Sequence, residues 1–473
     1  MKINLKNTYF DLGSSFSKRV EPSVAKRPFL IKFNHKLALD LNIDIEKSTD
    51  EVLADIFSGK TIMENSKPIA MAYAGHQFGH MVPQLGDGRA ILLGEVESDN
   101  RFFDIQLKGA GQTPFSRRGD GRSSLGPAVR EYILSEAMHA LNIPTTRALA
   151  ITLSGEEVFR ESSLPGAVFT RVARGHIRVG TFEYFLYRQD EKSLRKLADY
   201  VIQRFYPELK NEKDLYFKLF QKIARKKLSL VAKWMGIGFI HGVMNTDNTS
   251  ISGETIDYGP CAFMDQFSFS KVFSSIDHQG RYQYDNQGNI ALWNLSVLAN
   301  CFIPLLNETP EKLKEKFMQE FAELELYFEK EWTQVFSVKF GFSEVQTGDT
   351  ELFKSFLSYL EENKLDFTNS FRNIHNLLFE SNDERILSLT NRIKLDKFSY
   401  EEQIKIRNQN NPYLIPRNHL VEKAIQNSLE GDYSFFHEMV EALQKPYFED
   451  AKYIDFTQPP HSHEIVHQTF CGT

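Results

Sequence analysis

Hydrophobic and polar residues alternate most cleanly over residues 102–108. Phe103, Ile105 and Leu107 share one face of an extended chain and Asp104, Gln106 and Lys108 share the other, which predicts a strand with a polar face. Apolar runs at 90–96, 147–153 and 167–173 predict three more strands. Among them lies one helical period: Val129, Ile133, Ala137 and Leu141 predict a helix over 128–141, with Pro127 suited to its first position. A loop rich in glycine and arginine, 109–126, joins the strand at 102–108 to that helix. After about Thr181 the character changes. Residues 193–205 and 215–235 read as amphipathic helices, 236–259 as a loop with short β-like stretches, and the chain beyond Glu308 as largely helical, with a long helix over 312–336. Strands first and helices later define an α+β class. The expected division is an extension over 1–65, a strand-rich lobe over 66–182, a helical lobe over 183–302 and a helical C-terminal region over 303–473.

Composition narrows the function classes. Of 473 residues, 41% are hydrophobic and 25% charged, as in a folded globular protein, and 39 Phe argue against extensive disorder. A formal net charge of −6 gives no sign of a nucleic-acid binder. Three scattered cysteines, Cys261, Cys301 and Cys471, define no disulfide framework and suit a reducing compartment. Residues 1–10 lack the apolar centre of a leader, and no run of 18 apolar residues is present. The expectation is a cytoplasmic protein with neither membrane nor nucleic-acid partners. The string Gly-Asp-Gly-Arg occurs at 86–89 and at 119–122, too short an echo to mark a repeat.

Candidate chemistry falls in five places. Gly86, Gly88 and Arg89 precede a strand, where glycines let backbone N–H groups approach a phosphate, although the same string also suits a hairpin turn. Lys108 with Glu131 has the form of a strand lysine held by a helix glutamate. Glu131 is expected in the first helical turn, where the helix dipole also favours a carboxylate. The loop 109–126 carries Arg117, Arg118, Asp120, Gly121 and Arg122 and could wrap an anion or simply be solvated. Arg171, Arg174 and Arg178 could fork onto phosphate oxygens or form surface ion pairs. Most specific is HGVMNTDN at 241–248, followed by Asp257-Tyr258-Gly259. Protein kinases use H-R-D-x-x-x-x-N and then D-F-G; His241, Gly242 and Asn248 hold the small-molecule-kinase form of that spacing. Asn248 and Asp257 are then candidate oxygen ligands for a divalent cation. Val243 stands where the kinase aspartate would be and cannot accept a proton, which leaves Asp247 as the nearby carboxylate. Three readings stay open from these residues: a nucleotidyltransferase, an ordinary phosphotransferase and a silent nucleotide-binding scaffold.

Taken together, AYAGHQFGH (72–80), PQLGDGRA (83–90), QLKGAGQTPFSRRGDGR (106–122), GAVFTRVAR (166–174), HGVMNTDN, DYGP (257–260) and DHQGRY (277–282) resemble the selenoprotein O family, whose bacterial members are the YdiU-type proteins. The resemblance implies a protein-kinase-like two-lobed fold and protein AMPylation. AMP would pass from ATP to Ser, Thr or Tyr hydroxyls, with magnesium or manganese as cofactor; uridylylation from UTP is also attributed to bacterial members. It implies nucleotide contacts at Gly86, Gly88, Arg89, Lys108, Asp120, Gly121, Arg171, Arg178 and Asp257, and a structural ion pair at Glu131. It further implies a proton acceptor at Asp247 and metal ligands at Asn248 and Asp257. Cys471 resembles the selenocysteine position of eukaryotic members and implies a redox role, although residues 272–275 lack the cysteine with which bacterial relatives can pair it. His461, His463 and His467 have metal-like spacing.

Overall fold

A computed structural model describes residues 3–470. Ten strands belong to its first part: β1 (Ser17–Arg19), β2 (Phe29–Phe33), β3 (Ile69–Met71), β4 (Gly75–Gln77), β5 (His80–Val82), β6 (Ala90–Ser98), β7 (Arg101–Lys108), β8 (Ser123–Ser124), β9 (Arg147–Phe159) and β10 (Ser163–Ala173). Seven of them form one antiparallel sheet in the order β1-β3-β6-β7-β10-β9-β2, with β8 paired to β10 and β4-β5 a separate hairpin. The four strands expected from periodicity are present, and β9 and β10 run longer as a hairpin. Residues 1–65 supply both outer strands of the sheet and two helices, α1 (His35–Asp40) and α2 (Asp50–Phe57).

Alternation along β7 decides what each face of the sheet meets. Ile105 and Leu107 pack with Leu37, Leu53 and Phe57 of α1 and α2 in one apolar core. The opposite face is polar yet buried. Asp104 takes Arg204 and the ring of His176, and Gln106 Oε1 accepts from Arg171 Nη2 at 2.6 Å. A polar strand face is covered here because every charge on it has a partner.

Helix α3 (Leu125–Ala140) packs on β9 and β10 and brings Glu131 to Lys108 at the end of that polar face. It begins one turn earlier than the periodicity suggests, with Ser124 at its N-cap and Pro127 at its third position. Glu131 is therefore its seventh residue, past the first turn, and dipole stabilisation does not account for it. The remaining helices are α4 (Val179–Tyr187), α5 (Glu191–Phe205), α6 (Leu215–Gly236), α7 (Gln287–Phe302), α8 (Pro310–Phe340), α9 (Asp349–Glu362), α10 (Phe367–Arg372), α11 (Ile374–Glu380), α12 (Glu384–Lys394), α13 (Tyr400–Asn410), α14 (Asn418–Leu429) and α15 (Ser434–Ala442). Helix α7 is apolar enough in composition to cross a membrane. It is instead a core helix: Leu295, Leu298 and Phe302 are fully buried, and Asn294 donates to Met244 O at 2.8 Å. Strands β11 (Phe239–Ile240) and β12 (Ala262–Phe263) pair, so that the loop between them begins and ends at one place.

The C-terminal helices reach back to the sheet-bearing part. Arg130 of α3 donates to Asn418 Oδ1 at 3.1 Å and pairs with Glu422, and Tyr132 packs edge-on to Phe436 at 5.4 Å. Arg417, fully buried, pairs with Asp265 and Asp366 and donates to Thr457 O at 2.8 Å. These contacts tie the helical region to both α3 and the chain just after Asp257.

Candidate active site

A cleft of about 820 Å³ opens between the sheet, α3, the start of α4 and the segment between β11 and β12. Each element delivers one part of it. The end of β7 presents Lys108, whose Nζ lies 2.5 Å from Glu131 Oε2 on α3 and 3.4 Å from Asp257 Oδ1. Strand β10 presents Arg171, with Nη1 2.6 Å from Asp257 Oδ1 and 3.3 Å from Glu131 Oε1. Arg178, at the N-cap of α4, sets Nη1 3.1 Å from Asp257 Oδ2 and 2.8 Å from the backbone O of Asp247, and its guanidinium lies 4.5 Å from the Tyr73 ring centroid.

Asp257 is thus the hub of three cations. Burial alone would push its carboxyl up, but Arg171, Arg178 and Lys108 hold it well below the usual carboxylate range. Its backbone is left-handed, with φ of 63°, an uncommon conformation for a residue with a side chain. Asp247 is in the opposite state. Burial pushes it up to about 6, against the pull of Arg178. Gln77 Nε2 donates to its Oδ2 at 3.3 Å, while its buried Oδ1 has no hydrogen-bond partner. A carboxylate with one satisfied and one unpartnered oxygen, lining a cleft, is suited to accept a proton.

The glycine-rich turn closes the other side. Gly86 has φ of 76°, and a Cβ there would sit 2.3 Å from Phe115 Cγ, so only glycine fits. Asp87, between the two glycines, is fully enclosed. Its Oδ2 accepts from Met71 N at 3.1 Å and Gln106 Nε2 at 3.2 Å, and burial pushes it up to about 6. Over the mouth, Arg117, Arg118 and Asp120 are exposed, and Asp120 is held by a two-pronged contact from Arg160 at 2.9 and 3.1 Å.

All the expected nucleotide, base and metal residues line this one cleft: Gly86, Gly88, Arg89, Lys108, Asp120, Gly121, Glu131, Arg171, Arg178, Asp247, Asn248 and Asp257. Arg174 does not. Its guanidinium lies 5.6 Å from the Phe103 ring, and its backbone N–H donates to Glu254. His241 is structural: its ring stacks on Trp234 at 5.3 Å, and burial lowers it to about 4. Cys471 lies outside the described residues. No group of three or more metal-ligating side chains is preassembled among the described residues, the C-terminal histidines included. Gln77 and Tyr73 carried no signal in periodicity or motif spacing, whereas Asp87 stood inside the Gly-Asp-Gly-Arg string and Gln106 on the polar face of β7, with no role assigned to either.

A strand lysine paired to a helix glutamate, arginines converging on one aspartate and a separate raised carboxylate define a site for a polyanion beside a proton acceptor. The chain belongs to the SelO family of protein adenylyltransferases, whose family model matches residues 1–444. Similar proteins include the protein nucleotidyltransferases YdiU of Agrobacterium fabrum and Bradyrhizobium diazoefficiens, each 48% identical over 99% of both chains. That of Bacillus cereus is 46% identical over 99% of this chain and 98% of its own.

Proposed function

We propose that this protein transfers AMP from ATP to Ser, Thr or Tyr hydroxyls of proteins and releases pyrophosphate. The carrying observation is the placement of Asp247 in the same cleft as Lys108, Arg171 and Arg178. Lys108, Arg171 and Arg178 bind the phosphates and hold the charge that builds on the leaving pyrophosphate. Asp247 takes the proton of the attacking hydroxyl on its carboxylate as the oxygen closes on the α-phosphorus. Val243, 9% exposed, holds the position of the kinase aspartate and offers no proton acceptor there. That observation favours nucleotidyl over ordinary phosphoryl transfer.

The donor set suits a divalent cation. Asn248 uses its Nδ2 to donate to Val243 O at 3.1 Å, which leaves its side-chain oxygen for a ligand, and Asp257 and Asn248 together offer hard oxygen atoms. Magnesium or manganese held by these two side chains would neutralise phosphate charge. The cations now around Asp257 have phosphate oxygens to turn to when nucleotide enters. A protein-kinase-like two-lobed arrangement, with a nucleotide-binding strand lobe and a helical lobe, agrees with the Lys108–Glu131 pair and the order of the motifs. A cytoplasmic site of action is part of the same proposal and agrees with the scarcity of cysteine.

Intact-mass measurement tests the reaction. The purified protein is incubated with ATP or UTP and magnesium, alone and with a general protein acceptor. One AMP or UMP gained, and lost in Asp257→Ala, is the expected result. A gain of phosphate, or none with either nucleotide on any acceptor, overturns it.

A further inference from the structure

The β4-β5 hairpin touches the catalytic segment at three consecutive residues. Phe78 N–H donates to Asn245 Oδ1 at 2.9 Å, His76 N–H donates to Thr246 Oγ1 at 2.6 Å, and Gln77 Nε2 donates to Asp247 Oδ2 at 3.3 Å. Tyr282 OH donates to the same Asn245 oxygen at 2.6 Å, and its ring packs on Phe78 at 5.2 Å. The hairpin is anchored from behind. The His76 ring pairs with the Glu183 carboxylate of α4, and Ala74 N–H donates to Gly180 O at 2.9 Å. Gly75 faces Asp247 so closely that a Cβ would lie 2.9 Å from its Oδ1. Only glycine at position 75 leaves room for that buried, unpartnered oxygen.

We infer that the β4-β5 hairpin is a positioning device for Asp247 and that Gln77 is its positioning residue. Arg178 holds the backbone of Asp247, Gln77 holds one carboxylate oxygen, and glycine at 75 makes room for the other, which is buried against the hairpin without a hydrogen-bond partner. With the main chain and Oδ2 held and Oδ1 packed against Gly75, rotation of the carboxylate out of its place beside the cleft is blocked. Gln77 itself is half-exposed, spans 170 residues of chain to reach its partner, and is a neutral donor, so it fixes the carboxylate without neutralising it. Displacements of a reacting group by an ångström are enough to lower rates by about a hundredfold. The inference rests on the proposed role of Asp247.

The test is the dependence of self-modification rate on ATP concentration in Gln77→Leu and Gln77→Glu. The first keeps the volume and removes the donor; the second keeps the shape and sets a carboxylate against Asp247. Both are expected to lower the maximal rate by about tenfold or more, with half-saturating ATP and melting temperature unchanged. A rise in half-saturating ATP that accounts for the loss would make Gln77 a nucleotide-site residue and overturn the inference, as would rates equal to wild type. Absence of AMP transfer by wild-type protein would instead overturn the reaction itself.

Discussion

Lys108 and Glu131 meet at 2.5 Å with the glutamate buried on the inner side of α3, and Arg171 shares that glutamate at 3.3 Å. Two cations on one enclosed carboxylate mean that Glu131 keeps a partner if either is lost. The pair therefore aims Lys108 into the cleft more than it stabilises the fold.

Lys108→Met should test that view. It keeps the apolar stem and removes the charge, while Arg171 still satisfies Glu131. AMP transfer is expected to fall by about a hundredfold or more, the order found when one charge-stabilising donor is removed from an active site. Circular dichroism and melting temperature should stay close to wild type.

Asp247 gives the reaction its acid limb. Its carboxyl is raised to about 6, so the protonated form, which cannot accept a proton, predominates below that pH. Transfer at limiting ATP should be level above about pH 7 and fall about tenfold per unit well below pH 6. Asp247→Asn should remove this limb and lower the rate by about a hundredfold or more. A wild-type profile flat down to pH 5 would exclude Asp247 as the base.

Divalent-ion dependence should separate Asn248 from Asp247. Chelation by EDTA is expected to abolish transfer, with recovery on adding magnesium or manganese. Asn248→Ala should raise the metal concentration needed for half-maximal rate, whereas Asp247→Asn should leave it near wild type.

Gly86→Ala should report on the phosphate-side turn. The added methyl would overlap Phe115 and strain a backbone at φ of 76°. A stability loss of about 1–3 kcal/mol is expected from denaturant titration, together with weaker ATP binding.

Arg417→Met should show how far the C-terminal helices support the catalytic part. It leaves Asp265 and Asp366 facing each other without their buried cation. The expected loss is about 3–5 kcal/mol of unfolding free energy by denaturant titration.

The sequence by itself determined the strands around Lys108, the helices beyond Thr181, and the residue types of the site. Periodicity and short motifs are local properties, written into neighbouring residues. Tertiary structure decided the rest. The start of α3 depends on β8 pairing with β10, so the extra turn that moves Glu131 past the dipole was not legible in the local pattern. Residues 1–65 close the sheet because β1 and β2 find distant partners in β3 and β9. Arg174 reads as a third phosphate ligand beside Arg171 and Arg178, yet it turns to Phe103 once β10 ends. The unequal states of Asp247 and Asp257 arise from burial and from which cations the fold brings to each. A carboxylate's charge state is set by its neighbours in space, and no spacing along the chain specifies those.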